Sequence, residues 1–65
     1  MEILVNGKAV KVAESCSIAD LLRQLVIGGR FAVEVNEKIV PRSGLAAHAL
    51  HPGDRVEIVR AIGGG

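Results

Sequence analysis

Arg55-Val56-Glu57-Ile58-Val59-Arg60, followed by Ala61-Ile62-Gly63-Gly64-Gly65, is the stretch on which the reading of this chain turns. Its first six residues alternate. Val56 and Ile58 share one face and Val59 takes the other, the period of a half-buried β-strand. The strand is expected to hold the glycines at the end of a firm element, from which they project. Glycine lacks Cβ and reaches most backbone conformations. A glycine thread therefore fits a slot too narrow for side chains, and the carboxylate of Gly65 is sterically open to attack. The plain alternative is a frayed end, the usual fate of terminal residues. The division expected is a folded domain over 1–62 and a flexible glycine tail over 63–65.

Upstream of this strand, His51-Pro52-Gly53-Asp54 reads as a turn, with Pro second and Gly third. At the other end of the chain, Ile3 and Val5 alternate with Glu2 and Leu4. Asn6-Gly7 then signals a two-residue hairpin, because a type I′ turn needs positive φ at both positions. Lys8 to Val12 returns as the second strand, with Val10 and Val12 inward. Ser17 followed by Asp20 resembles a capping box with Asp in place of Glu. Ile18, Leu21, Leu22 and Leu25 fall on one helical face, and Gly28-Gly29 is expected to end that helix. Phe31, Val33 and Val35 predict a third strand. Asn36-Glu37-Lys38 turns the chain, and Ile39-Val40 is a short strand stopped by Pro41. Ser43 to Leu50 is rich in Ala and Leu and is expected to hold one or two helical turns. The order is ββαββ(short helix)β. One helix covers one sheet, so the class is α+β. The order permits a β-grasp, with the first and last strands parallel at the centre of a mixed sheet.

Composition narrows the function. Sixty-five residues make one domain, burying about 60% of its unfolded surface. Eight Lys/Arg against seven Asp/Glu give a net charge of +1. A nucleic-acid footprint needs a basic face, and a single-strand binder needs aromatic platforms; Phe31 is the sole aromatic residue. No apolar run approaches a membrane span and no signal-peptide pattern is present, so neither nucleic acid nor membrane is an expected partner, and a cytoplasmic location is expected. Cys16 is the single cysteine, which excludes an intramolecular disulfide. It reads as a small loop residue before the helix rather than a reactive thiol. His48 and His51 stand three apart, but zinc needs three or four ligands and Asp54 is the one acid nearby. They read as surface histidines, and no metal ligand or catalytic residue is assigned.

Leu4 and Val59 have outward parity. If the first and last strands adjoin, they form an apolar patch near the tail, extended by Ile62. A contiguous patch of this kind suggests a partner surface. Arg42, Arg55 and Arg60 are positioned to frame it with positive charge, suited to an acidic partner. Leu4, Val59, Arg60 and Ile62 are thus the expected partner interface.

VNEKIVPR (Val35 to Arg42), HPGDRVEIV (His51 to Val59) and the terminal AIGGG, at this length and in this order, resemble the ThiS/MoaD family of ubiquitin-like sulfur carriers. VNEKIVPR favours the ThiS branch of thiamin biosynthesis over its molybdopterin cousin MoaD. The resemblance spans essentially the whole chain. Gly63 adds a third glycine before the di-glycine usual in the family. The resemblance implies a ubiquitin-like β-grasp and a role as co-substrate rather than enzyme. It also implies that a ubiquitin-activating-type enzyme, ThiF, adenylates the carboxylate of Gly65 with ATP and magnesium, with no cofactor held stably by the carrier. Sulfur taken from cysteine by a cysteine desulfurase then displaces AMP to leave a thiocarboxylate, which thiazole synthase, ThiG, uses in building the thiazole ring.

The residues suit that chemistry. A terminal carboxylate is an anion at neutral pH and resists nucleophiles until it becomes a mixed anhydride. Three other readings stay open. A carrier for molybdopterin or another thiocarboxylate pathway has the same tail chemistry and a different acceptor. A protein modifier of the ubiquitin kind leaves conjugate ladders. A plain β-grasp interaction module is indifferent to loss of its tail.

Overall fold

The computed structural model describes residues 1–60. Ile62 and the tail Gly63, Gly64 and Gly65 lie outside the described residues, as does the expected boundary after residue 62. The elements are β1 (Glu2–Val5), β2 (Lys8–Lys11), α1 (Ile18–Gln24), β3 (Phe31–Val35), β4 (Lys38–Val40), a 3-10 turn (Arg42–Gly44) and β5 (Arg55–Arg60). The five strands form one mixed sheet in the order β2-β1-β5-β3-β4. β5 takes the centre, parallel to β1 and antiparallel to β3. This is the β-grasp arrangement that the element order permits.

Each local signal has a visible outcome. Asn6 and Gly7 adopt φ of 50° and 84°, turning β1 tightly into β2. Alternation puts Ile3, Val5, Val33, Val35, Val56 and Ile58 on the buried face of the sheet. Against them α1 lays Ile18, Leu21 and Leu22, all buried. The core among the described residues is wholly apolar.

The start of α1 is fully satisfied. The Ser17 side chain accepts from the Asp20 backbone N–H at 3.0 Å, and the Asp20 carboxylate accepts from the Ser17 backbone N–H at 3.1 Å, a reciprocal capping box. The Ile18 and Ala19 N–H groups donate to the carbonyls of His48 and Leu45. The segment from Ser43 to Leu50 therefore serves as a cap for α1 rather than as a helix of its own. It opens with a 3-10 turn at Arg42–Gly44, and Leu45 and Leu50 are buried beside α1. The one or two helical turns expected there amount to this 3-10 turn and one further turn, closed by the His48 N–H donating to the Gly44 carbonyl at 3.0 Å. The carbonyls that would close further helical turns are committed to the orphan donors of α1 instead.

The helix also ends earlier than its glycines. Val26 adopts φ of 56°, its N–H donates to Arg23, and the Ile27 N–H donates to Leu22. This is a Schellman motif with Val in the left-handed position usually given to glycine. Ile27 packs on the core, so the chain must reverse at Val26 to return it there; Gly28 and Gly29 come too late. Among the described residues no helix is long and apolar enough to cross a membrane.

Candidate functional site

The site is built on β5, whose last described residue, Arg60, adjoins the tail. Two neighbours hold this strand. On one side, β3 runs the full length of β5, pairing Phe31 with Arg60, Ala32 with Val59 and Val33 with Ile58. On the other, β1 pairs only Leu4 with Arg55 and Val5 with Val56. Beyond that point the Asn6 side chain takes over. Its Oδ1 accepts from the Ile58 N–H at 2.8 Å, and its Nδ2 donates to the Ile58 carbonyl at 3.2 Å. Asn6 thus acts as a surrogate strand residue, holding β5 two positions before Arg60.

The outward face of the sheet carries two of the expected interface residues; Arg60 follows the parity of buried Ile58 and pairs with Phe31. Leu4 and Val59 both point outward, and Val59 is 60% exposed. They do not form one patch. The parallel register sets Leu4 beside Arg55, four residues from Val59, a separation of about 13 Å along a strand. Adjacency of strands was foreseeable, but register was not, and it parts the two. Val59 instead joins Ala32 and Phe31 in an open depression of about 510 Å³, rimmed by Arg30, Arg42 and Arg60. The Arg42 guanidinium lies 5.2 Å from the centre of the Phe31 ring, within cation–π range, and a second contact reaches the Gly29 carbonyl at 3.5 Å. Arg55, expected near this rim, lies instead with Glu34, Glu37 and Glu57. Arg30, Phe31 and Ala32 escaped the sequence reading. Alternation marked Phe31 as core, and nothing local ties Arg30 to Arg60.

The remaining candidates fall elsewhere. Cys16 is buried, its thiol donating to the Ser17 carbonyl at 3.3 Å. Burial pushes that thiol up from its ordinary pKa, and the nearby Asp20 charge adds to the effect, so it is held as an unreactive thiol. His48 sits near Val40 and Pro41, whereas His51 lies in the turn before β5, where its backbone N–H donates to Asp54. No group of three potential metal ligands occurs among the described residues.

The ThiS family profile matches residues 3–65. The chain belongs to the ThiS family. Sulfur carrier protein ThiS of Escherichia coli is 35% identical over the whole of both chains. A crystal structure of the thiamine biosynthesis protein ThiS from Geobacter metallireducens superposes with a TM-score of 0.87 at 35% identity, with both chains covered in full. A thiazole synthase from Paramagnetospirillum magneticum is 41% identical over all of this chain, which spans only 20% of that protein. The superposition on the Geobacter metallireducens ThiS structure agrees with the mixed sheet and single helix found here, and the ubiquitin-like β-grasp is the fold of this chain.

Proposed function

We propose that this ThiS-family chain is a sulfur carrier of thiamin biosynthesis, in which the carboxylate of Gly65 is the reactive group. The observation that carries the reading is whole-chain similarity to ThiS carriers, joined to a central strand that ends at Arg60 immediately before Ala61-Ile62-Gly63-Gly64-Gly65. In the first step a carboxylate oxygen of Gly65 bonds to the α-phosphorus of ATP and pyrophosphate leaves. The resulting acyl adenylate has AMP as its leaving group. The terminal sulfur of a persulfide supplied by a cysteine desulfurase attacks the acyl carbon and the C–O bond to AMP breaks, giving an acyl disulfide. A thiol, such as excess cysteine, then reduces the S–S bond to release the thiocarboxylate. The adenylating enzyme, ThiF, brings the magnesium and the positive groups that stabilise charge on the phosphates. The carrier brings the acyl group and a surface that presents it, so it is a co-substrate rather than an enzyme.

Thiazole synthase, ThiG, is the proposed acceptor. What supports this over a molybdopterin acceptor is the relative named thiazole synthase, in which a stretch like this chain makes up a fifth of the protein. A cytoplasmic setting, where ATP and the desulfurase are found, belongs to the same proposal.

The test is the intact mass after incubation with ATP, magnesium, the adenylating enzyme, a cysteine desulfurase and cysteine. The expected gain equals the exchange of one oxygen for one sulfur, and it is lost on deletion of Gly65. No gain with an enzyme active on a known carrier refutes the proposal. Val59→Glu is expected to weaken binding of the adenylating enzyme while the fold survives, because Val59 is exposed; Leu4→Glu, a separate spot on the same face, measures whether Leu4 belongs to the interface.

A further inference from the structure

Charge is separated along the β3–β5 pair. At the end where β5 finishes, Arg30, Arg42 and Arg60 surround Phe31, Ala32 and Val59. Among the described residues no carboxylate lines that depression, and none of the three arginines forms an ion pair with a described residue. Further from the tail, Glu34 and Glu57 sit directly opposite one another across β3 and β5, with Glu37 and Arg55 nearby. A net charge of only +1 means that this separation does not follow from a basic composition. It is a product of register.

Three arginines on the rim of one apolar depression carry like charge, and a carboxylate placed among them relieves the repulsion. Arginine's planar fork matches a carboxylate with two parallel hydrogen bonds. The apolar floor is half-buried at Phe31 and exposed at Val59, so an apolar side chain seated there leaves water without disturbing the core. The small basic area, backed by acids, does not suit nucleic acid, which needs an extended basic track.

We propose that this arginine-rimmed depression docks an acidic segment of the adenylating enzyme, seating an apolar side chain on Phe31, Ala32 and Val59 and a carboxylate among Arg30, Arg42 and Arg60. The inference rests on the carrier reading above and names the surface through which the partner holds the chain while it acts on Gly65. Arg60 immediately precedes residues 61–65, so a partner that reaches for the terminus passes this rim. The acidic end of the β3–β5 pair sets the sense of approach, since a partner turned end for end meets like charge.

The experiment is calorimetric titration of the full chain with the adenylating enzyme of the same organism, at low and high salt. The chains compared are wild type, Arg42→Glu, the double variant Arg30→Glu/Arg60→Glu, and a control, Lys11→Glu. Lys11 is exposed on β2, near the far end of the sheet, opposite Glu2. All three arginines are exposed, and unchanged thermal midpoints establish that the variants fold. The expected result is weakening of about three- to tenfold for Arg42→Glu and more for the double variant, with the control within about twofold. Wild-type affinity falls with salt more steeply than that of the double variant. Arginine variants that bind as well as the control overturn the docking site and leave the carrier reading standing. A wild-type chain that neither binds the enzyme nor gains sulfur overturns both.

Discussion

Replacement of Asn6 tests how the fold secures the strand that leads to the tail. Asn6 has two duties. It occupies the left-handed region at φ 50°, and its side chain makes both hydrogen bonds to Ile58, 52 residues away. Each such bond contributes about 1 kcal/mol net. Asn6→Gly keeps the backbone conformation and deletes both bonds, so the expected loss is about 2 kcal/mol. Asn6→Ala deletes the same bonds and also puts in the left-handed region a residue without asparagine's tolerance for it, at about 1 kcal/mol more, for a total near 3 kcal/mol. A domain of this size has only about 3–10 kcal/mol of stability in all, so the Ala variant should be close to unfolding at warm temperatures. The chain has no Trp or Tyr, so the assay is urea unfolding followed by far-ultraviolet circular dichroism. The midpoint should fall in the order wild type, Gly, Ala, with an unchanged slope. Amide exchange at Ile58 in Asn6→Gly should accelerate relative to the Leu21 amide in the core helix. An Asn6→Gly variant within about 0.5 kcal/mol of wild type refutes the surrogate-strand account, since it leaves no net value for two hydrogen bonds.

Val26 is 85% exposed and β-branched in the left-handed region, so Val26→Gly should stabilise by about 1 kcal/mol, raising the thermal midpoint by about 4–8 °C; a lower midpoint contradicts the Schellman assignment. Asp20 gives a pH prediction. Its carboxyl is held below the usual 3.8 by the Ser17 backbone N–H, then by the Ser17 side chain and by Arg23. A depressed folded pKa adds stability that is present above the unfolded value and is lost as pH falls through the folded one. Wild type should therefore lose stability below about pH 3.8 relative to Asp20→Asn, and parallel acid titrations of the two proteins would disprove the capping role. Cys16 should resist iodoacetamide in the native state at neutral pH and react on unfolding in urea; rapid native alkylation is inconsistent with its burial. Cys16→Ala should still gain sulfur at Gly65 in the mass assay.

Much of this protein is local in origin. The Asn6-Gly7 turn, the Ser17/Asp20 box and the alternation of β3 and β5 each depend on residues within four positions of one another. Backbone sterics and short-range hydrogen bonds act at that range, so these features can be read from the amino-acid order. The terminal glycines and the segments shared with ThiS carriers are legible for the same reason: they are strings, and carry their chemistry without a fold. Other features had to wait for the tertiary structure. Val26 takes the left-handed turn because Ile27 must reach the core, not because valine favours that conformation. Ser43 to Leu50 spends its carbonyls on the start of α1, a demand set by a distant element. The Leu4–Arg55 register divides an expected patch, and the same sheet gathers Arg30, Arg42 and Arg60 from three separate segments. Register between remote strands is chosen by how whole apolar faces pack, and side chains far apart in sequence become neighbours only as a consequence of that choice.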